Sequence, residues 1–568
     1  MNKYSKVTTS GSNNFDVIVI NTIFTVSYFS SKDGIKTSSK DKADYLSSVE
    51  EEIKKCSAKL KDGGFMFIYG LPAWLPEYFN LIRKDFTFRY WIAIDGGHKD
   101  TSIKNNIPKS HVGLLMLSKG NKYGPLNTKQ EKISYSACLH CRNNLKDWGG
   151  KKHLMNKNGT AISDVWKDFY HKNGHIVDSI GINLELVDFD KTSIKIDGKI
   201  IPPQILDRIY NLTNRIGYRF GLHNIIVPPP KSVFKTPPSV DTKTRAADLD
   251  KVVMANCIEE MKRLYKRYPN GCFDIFFADP PYNLDKKYDK YKDTNNETEY
   301  INWSNEWLDL GIKLLKPGGS LFSLNIPEWS LHQAIYLNDI AYFQNWIVWD
   351  SMSVPLGKIM PAHYSLLHYS QTPNVKFCGH KWIDNPGYCL RASCIKARTV
   401  LGDDKKVVLA DIWSDVHRIK HKKNRDYHPC QLPHKLMERI ISLFSKEGDL
   451  IFDPFAGAGT TAIVAKKLNR HYYTTEISAD YINITNRRLK EVGEYGDIVL
   501  RSVKHDNNGL TKKSVELVVQ KLALELSRKP TLEELLNKGK FKRTDLTKLY
   551  GDENRALKVA RVALTNSN

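Results

Sequence analysis

The sequence predicts an α/β protein in which one fold occurs twice, followed by a small helical segment. Three observations predict it. The apolar run Phe273-Asp274-Ile275-Phe276-Phe277-Ala278 is stopped abruptly by Asp279-Pro280-Pro281, as a buried strand is when it meets a rigid turn. A second run, Leu450-Ile451-Phe452, feeds a glycine-containing turn and then a helix-like stretch from Thr461 to Leu468, the strand–turn–helix unit of open Rossmann-like sheets. Third, blocks of the first half recur in the second half in the same order.

The recurrence sets the architecture. Phe15-Asp16-Val17-Ile18 parallels Phe273-Asp274-Ile275-Phe276, and Leu60-Lys61-Asp62-Gly63-Gly64 parallels Leu315-Lys316-Pro317-Gly318-Gly319. Pro72-Ala73-Trp74 parallels Pro327-Glu328-Trp329, and Trp91-Ile92-Ala93-Ile94-Asp95 parallels Trp346-Ile347-Val348-Trp349-Asp350. His111-Val112-Gly113 parallels His363-Tyr364-Ser365, Asp164-Val165-Trp166 parallels Asp411-Ile412-Trp413, and Pro202 to Ile209 parallels Pro433 to Ile440. The chemistry does not recur. Asn21-Thr22-Ile23-Phe24 stands where Asp279-Pro280-Pro281-Tyr282 would fall, and Arg219-Phe220-Gly221-Leu222-His223-Asn224 where the second glycine turn would fall.

In open α/β sheets ligands bind at the carboxyl ends of the strands. A carboxylate (Asp279) and the Pro280 carbonyl can accept hydrogens from an exocyclic amine there, while Tyr282, read as an exposed aromatic, stacks on the ring. Gly457 and Gly459 leave room for a ligand to approach the backbone. Glu476, about twenty residues on, follows His471-Tyr472-Tyr473-Thr474-Thr475 and can accept ribose hydroxyls. Together with His428-Pro429-Cys430-Gln431-Leu432-Pro433, these segments resemble the motifs of amino-group DNA methyltransferases. The catalytic motif precedes the cofactor motif, the order of the permuted beta class. The resemblance covers about residues 250–495.

It implies S-adenosylmethionine as cofactor, bound by Asp453, Phe455, Gly457, Gly459, Glu476 and Gln431. Phe455 is read as either packing the cofactor or belonging to the core, and Asp453 as orienting the loop or meeting the methionine end. The resemblance also implies catalysis by Asp279, Pro280, Pro281 and Tyr282 on a base flipped from double-stranded DNA. Asp at the first motif position points to adenine N6, with cytosine N4 as the alternative target. A non-catalytic DNA-binding assembly protein is the competing class, and RNA methylation another option among enzymes. A cognate restriction endonuclease is a candidate partner. No metal is needed for the transfer.

Four segments follow. Residues 1–226 are a methyltransferase-like copy that has lost its motifs, and 227–245 a linker with five prolines in the twelve residues 227–238. Residues 246–500 are the catalytic copy. Residues 501–568, with 15 Lys and Arg against 8 Asp and Glu, read as basic helices. Helical stretches are expected at Val515–Ser527, from Pro530 with Thr531 as cap, at Lys542–Gly551, and at Asn554–Leu564. They resemble small helical DNA-binding repeats, with Lys542, Arg543 and Lys548 toward DNA; the alternative is a solvated helical tail.

Composition agrees with a polyanionic partner. Eighty-five Lys and Arg against 62 Asp and Glu give a net charge of +23, although a Lys-rich proteome would give the same bias. No apolar stretch reaches the ~18 residues of a membrane span, and the N-terminus lacks an apolar signal core. Nine scattered cysteines fit reduced thiols, so a cytoplasmic, nucleoid-associated location is expected. Cys138-Leu139-His140-Cys141 has the spacing of half a zinc site, but the pair Cys389 and Cys394 is spaced differently and lies in the other copy. Free thiols are the simpler expectation. Lys146–His153 reads as a phosphate-contacting or merely polar loop.

Overall fold

The computed structural model describes residues 15–22, 39–95, 106–167, 203–213, 218–221, 244–285, 294–351, 358–419, 431–496 and 512–557, with short breaks inside 106–167, 358–419 and 512–557. The proline-rich linker, His428–Cys430, residues 146–152 and most of Asn554–Leu564 lie outside the described residues. The first half carries β1 (Phe15–Asn21), β2 (Leu60–Gly70), β3 (Phe86–Asp95), β4 (His111–Lys119), β5 (Lys132–Ile133), β6 (Thr160–Ala161), β7 (Val165–Trp166) and β8 (Tyr218–Gly221). The second carries β9 (Lys251–Met254), β10 (Phe273–Ala278), β11 (Leu315–Asn325), β12 (Tyr342–Asp350) and β13 (His363–Ser370). It continues with β14 (Trp382–Asp384), β15 (Lys406–Val408), β16 (Ile412–Trp413), β17 (Leu450–Asp453) and β18 (His471–Glu476).

The chain packs as two compact units, one of residues 1–243, 261–418 and 443–445, the other of 244–260, 419–442 and 446–568. These divisions fall at other places than the four segments expected from sequence. Both repeated halves contribute to the first unit. There the first sheet has the order β7-β3-β4-β2-β1-β8, and the strands of the second half repeat it as β16-β12-β13-β11-β10. The senses repeat too. β1–β2 and β10–β11 are parallel, β2–β4 and β11–β13 antiparallel, β3–β4 and β12–β13 antiparallel, and β3–β7 and β12–β16 parallel.

Paired glycines explain one detail of the repeat. The register slips between Phe15 and Val17 and, equivalently, between Phe273 and Ile275. Gly63 and Gly318 turn there with φ of 74° and 81°. A Cβ on Gly64 would come within 2.8 Å of the Lys61 carbonyl oxygen, and one on Gly319 within 2.9 Å of that of Lys316. Both bulges therefore require Gly-Gly. Beside the second, the Asp274 carboxylate accepts from Lys316 and Lys376, each at 2.7 Å, and anchors β10.

The two halves meet through equivalent residues. Trp91 of β3 stacks on Trp346 of β12 with ring centroids 3.9 Å apart and planes 3° off parallel. Asp411, fully buried, accepts from the Ser110 N–H at 2.8 Å, the Ser110 hydroxyl at 2.7 Å and His111 Nδ1 at 2.9 Å. The mirror contact is present. Asp164 accepts from the Ala362 N–H at 2.8 Å and lies 3.1 Å from His363 Nδ1. His111 and His363 are repeat equivalents, as are Asp164 and Asp411, so the halves are related by an internal two-fold. Asn106 Nδ2 donates to Gln344 at 3.0 Å, and Asn338 Nδ2 to Glu77 at 2.7 Å, along the same seam.

The second unit holds the parallel strands β17–β18–β9, the helices Thr460–Lys467 and Ala479–Tyr495, and three C-terminal helices. Those are Lys512–Leu526, Leu532–Gly539 and Arg543–Tyr550, around Val515, Val519, Leu522, Ala523, Leu535, Phe541, Leu546 and Leu557. The expected cap is formed: Thr531 Oγ1 accepts from the Glu534 N–H at 3.2 Å, and the Glu534 carboxylate accepts from the Thr531 N–H at 2.8 Å.

Replacing Asp411 by Ala strands three buried donors. We expect a loss of about 3–5 kcal/mol, read as a lower urea midpoint, whereas Asp62→Ala at a 96% exposed side chain should stay within ~0.5 kcal/mol. Equal midpoints for the two variants would show that the reciprocal pairs do not hold the seam.

Candidate active site

β10 ends at Ala278 because Pro280 and Pro281 have no N–H to continue a ladder. The turn they begin is braced from three sides. Tyr300 Oη donates to the Pro281 carbonyl at 2.6 Å, and Trp329 Nε1 to the Tyr282 carbonyl at 2.8 Å. Asn283 adopts a positive φ of 53°. Its side chain accepts from the Asn295 N–H and donates to the Asn295 carbonyl, both at 2.8 Å. Asn283 thus steadies the turn. Among the described residues no protein donor meets the Pro280 carbonyl.

Tyr282 corrects the sequence reading. It is 6% exposed rather than presented to solvent, and its hydroxyl donates to the Asp279 carboxylate at 2.5 Å. Its ring lies 5.6 Å from that of Tyr364, tilted by 43°, and Tyr364 lies 5.4 Å from Trp349. Arg418 stands 5.7 Å from the Tyr364 ring centre. Sequence reasoning missed Tyr300, Trp329, Tyr364 and Arg418 as supports. Trp329 and Tyr364 both sit in the repeated blocks, which was the available signal.

The glycine turn lies in the second unit, between β17 and the helix Thr460–Lys467. Asp453 is 3% exposed and turned inward. It accepts from the Phe455 N–H at 2.8 Å and from the Thr461 hydroxyl at 2.5 Å, so of its two expected roles it has the loop-orienting one. Burial pushes its carboxyl up to about 7; those two hydrogen bonds pull the other way, and the nearby Glu476 charge adds to the rise. Gly457 and Gly459 have φ of 50° and 75°. A Cβ at Gly459 would meet the Thr485 side chain at 2.3 Å. That glycine is therefore required by backbone and packing, not only by ligand space. Phe455 and Gln431 are half-buried.

Glu476 ends β18, as expected. Its Oε2 accepts from the Gly457 N–H at 2.8 Å and its Oε1 from the Ile477 and Ser478 N–H groups, each at 2.9 Å. Burial raises its carboxyl above the usual range, against those three hydrogen bonds. Of the about four acceptor positions of a carboxylate, these amides occupy three. The turn still fits a nucleoside: small buried Ala456 and Ala458, two left-handed glycines, and an acid at the neighbouring strand end.

Elsewhere, Arg543 is paired with Glu533, and Lys542 stands at the N-terminal cap position of the helix Arg543–Tyr550 without a side-chain cap. The placement of the Lys548 side chain lies outside the described residues. Cys138, Cys141, Cys389 and Cys394, expected as free thiols in two differently spaced pairs, come together in the first unit with all four sulfurs within 4.8 Å of one another. In the first half, β1 runs into Thr22, whose N–H and hydroxyl both go to the Tyr69 carbonyl. Residues 219–221, which stand where the second glycine turn would fall, belong to β8, parallel to β1.

A strand ending in Asp-Pro-Pro-Tyr and a glycine turn with an acid beyond it define an amino-group methyltransferase. The N6/N4 DNA methylase family model matches residues 16–209 and 273–487, more than half of the chain. The chain belongs to that family. The type II methyltransferase M.BamHI of Bacillus amyloliquefaciens is 37% identical over 43% of this chain and 57% of its own length. M.HpaI of Haemophilus parainfluenzae is 29% identical over 46% of this chain and 81% of its own. The DNA adenine methyltransferase YhdJ of Escherichia coli is 28% identical over 46% and 90%. Among solved structures, the M1.HpyAVI–SAM complex aligns with 42% of this chain and 98% of its own at 19% identity and a TM-score of 0.29. The cytosine-N4-specific PvuII methyltransferase aligns with 47% and 90% at 17% and 0.32. No described helix is long and apolar enough to cross a membrane.

The Asp453 carboxyl makes a pH prediction. A carboxyl raised from 3.8 to about 7 binds its proton more tightly when folded. Its contribution is therefore neutral below the unfolded value, and stability falls as pH rises from about 4 to 7. Asp453→Asn should remove that fall. The difference between wild-type and variant unfolding free energies across this range checks it; parallel curves would refute the buried neutral acid.

Proposed function

We propose that this chain transfers the methyl group of S-adenosylmethionine to the N6 amine of adenine in double-stranded DNA. The observation that carries the reading is the Asp279–Tyr282 turn. It offers one carboxylate and one carbonyl without a protein donor, that of Pro280, as two acceptors for the two hydrogens of an exocyclic amine. Bonds from the amine to both acceptors orient the nitrogen lone pair away from the ring plane, toward an incoming methyl group. To admit the amine, Asp279 exchanges the Tyr282 hydroxyl for it, and the freed ring packs on the flipped base. Asp453 keeps the glycine turn in shape, and Glu476 accepts from the cofactor's ribose. The bound cofactor supplies an electrophilic sulfonium methyl. The chain's own contribution is positioning and electrostatics.

The first half is read as the same fold without the chemistry. Its strands match in order and sense, but Thr22 stands where the catalytic turn would begin. Residues 1–226 then act as a non-catalytic copy, 246–500 as the catalytic one in permuted order, and 501–568 as a basic segment meeting DNA through Lys542, Arg543 and Lys548. A restriction–modification role, with an endonuclease partner, fits the type II naming of two relatives.

Incubation with labelled cofactor and duplex DNA, followed by digestion, should yield N6-methyladenine. Asp279→Ala should cut transfer by at least ~10²-fold while leaving cofactor binding nearly unchanged. N4-methylcytosine as product would move the target to cytosine, and wild-type transfer by the variant would remove Asp279 from the mechanism.

The tail makes a separate prediction. Specific DNA contact typically buries ~1,000 Å² or more of protein, and the stretch between Asp350 and His428 is short for that. Deleting 501–568 should weaken DNA binding and flatten its salt dependence, by about one unit of slope per lost phosphate contact. Cofactor affinity should not change. An equally tight and salt-sensitive complex would make the tail a spectator.

A further inference from the structure

We propose that Cys138, Cys141, Cys389 and Cys394 bind one structural zinc ion that fastens the two halves of the first unit together. Four thiols converge from two hairpin-like segments almost 250 residues apart in sequence. Their sulfurs all lie within 4.8 Å of one another, with Cys138 to Cys394 at 3.8 Å and Cys141 to Cys389 at 3.6 Å. Tetrahedral zinc holds sulfurs at ~2.3 Å, which places each pair of ligands about 3.8 Å apart. Those two spacings match that ion. A disulfide needs ~2.05 Å, which neither pair approaches. An iron–sulfur cluster interposes several irons and sulfides and would hold its cysteines wider apart than these.

The surroundings are those of a tetrathiolate. Cys138, Cys389 and Cys394 are buried, and Leu145 and Tyr388 pack against the group. The Cys389 N–H points at the Cys138 sulfur at 3.3 Å. The segment 138–141 closes as a tight knuckle: the Cys138 carbonyl accepts from the Arg142 N–H at 2.9 Å, and the Cys138 N–H donates to the Asn143 carbonyl at 2.7 Å. Arg142 takes a positive φ of 59° to do so. Four thiolates around a divalent ion carry a net charge of −2. Arg398, 4% exposed, donates to the Cys394 sulfur at 3.2 Å and to the Cys389 carbonyl at 3.1 Å, so a buried cation lies where it offsets that charge.

Each half supplies one knuckle: Cys-x2-Cys after β4, Cys-x4-Cys after β13. Both spacings lie within the range used by zinc sites. The backbone joins them directly as well, through the Leu139 N–H to the Gly387 carbonyl at 2.9 Å and Arg391 to the Asn144 carbonyl at 2.7 Å. The ion would thus tie the region between Asp350 and His428 to the first half, independently of whether the chain methylates DNA.

The test uses the full tag-free chain purified with reductant and without chelator. Elemental analysis should give one zinc per chain, and a mercurial thiol reagent should release it stoichiometrically. Cobalt exchanged into the site should show the charge-transfer and d–d absorption of a four-thiolate tetrahedral centre. Cys138→Ser and Cys394→Ser should each lose the ion, while Cys56→Ser, remote from the group, should keep it. Wild-type protein without zinc, with iron instead, or with the four thiols oxidised to two disulfides would overturn the proposal. So would zinc that is retained in both ligand variants. Metal analysis of the wild-type chain stands even where a variant fails to fold.

Discussion

The reciprocal pairing of buried carboxylates across the internal two-fold is the constraint on which the first unit depends. Asp411 of the second half satisfies Ser110 and His111 of the first, and Asp164 of the first meets Ala362 and His363 of the second. Each acid is buried where an unpaired charge would be costly. Neither half can therefore bury its own seam alone. The Trp91–Trp346 stack lies on the same seam and adds about 0.5–1.5 kcal/mol beyond its buried area. The consequence is evolutionary as well as physical. A half that lost its chemistry would still be held in place, because the seam uses strands β3, β4, β12 and β13 and not the strand ends where chemistry sits.

That separation explains the pattern of repetition. The blocks that recur between halves are the seam and sheet residues: Trp91 and Trp346, His111 and His363, Asp164 and Asp411, and the two Gly-Gly bulges. The blocks that differ are the exits of β1 and β10. Thr22 closes the first exit onto the Tyr69 carbonyl, while Asp279 to Tyr282 keep the second supplied with acceptors.

Much of this was legible in the sequence. The apolar runs of β10 and β17, the proline stop, the glycine turn and the capping box at Thr531 all follow from local chain chemistry. The repeated blocks gave the doubled sheet, since equivalent residues must occupy equivalent positions. What was not legible depends on contacts between distant segments. The burial of Tyr282 requires Tyr300, Trp329 and Tyr364 to close around the turn. The three amide donors on Glu476 depend on how the turn at Gly457 folds back onto β18. The four cysteines read as two differently spaced pairs, because whether they share one place depends on the two halves meeting there.

Both halves of the chemistry are already satisfied in the unliganded protein, and that has a consequence for selectivity. Asp279 holds the Tyr282 hydroxyl, and Glu476 holds three amides. In the proposed reading, an incoming amine would exchange with the Tyr282 hydroxyl at Asp279 and meet the Pro280 carbonyl directly. Exchange of this kind contributes only about 0.5–1.5 kcal/mol per bond in favour of the right ligand. A ligand that displaces Tyr282 without offering an amine would cost the half-buried Asp279 carboxylate that hydrogen bond. In the proposed reading, discrimination at the β10 turn would come in part from the mismatch a wrong base meets there. A base carrying a carbonyl where the amine should be would face both Asp279 and the Pro280 carbonyl with lone pairs alone.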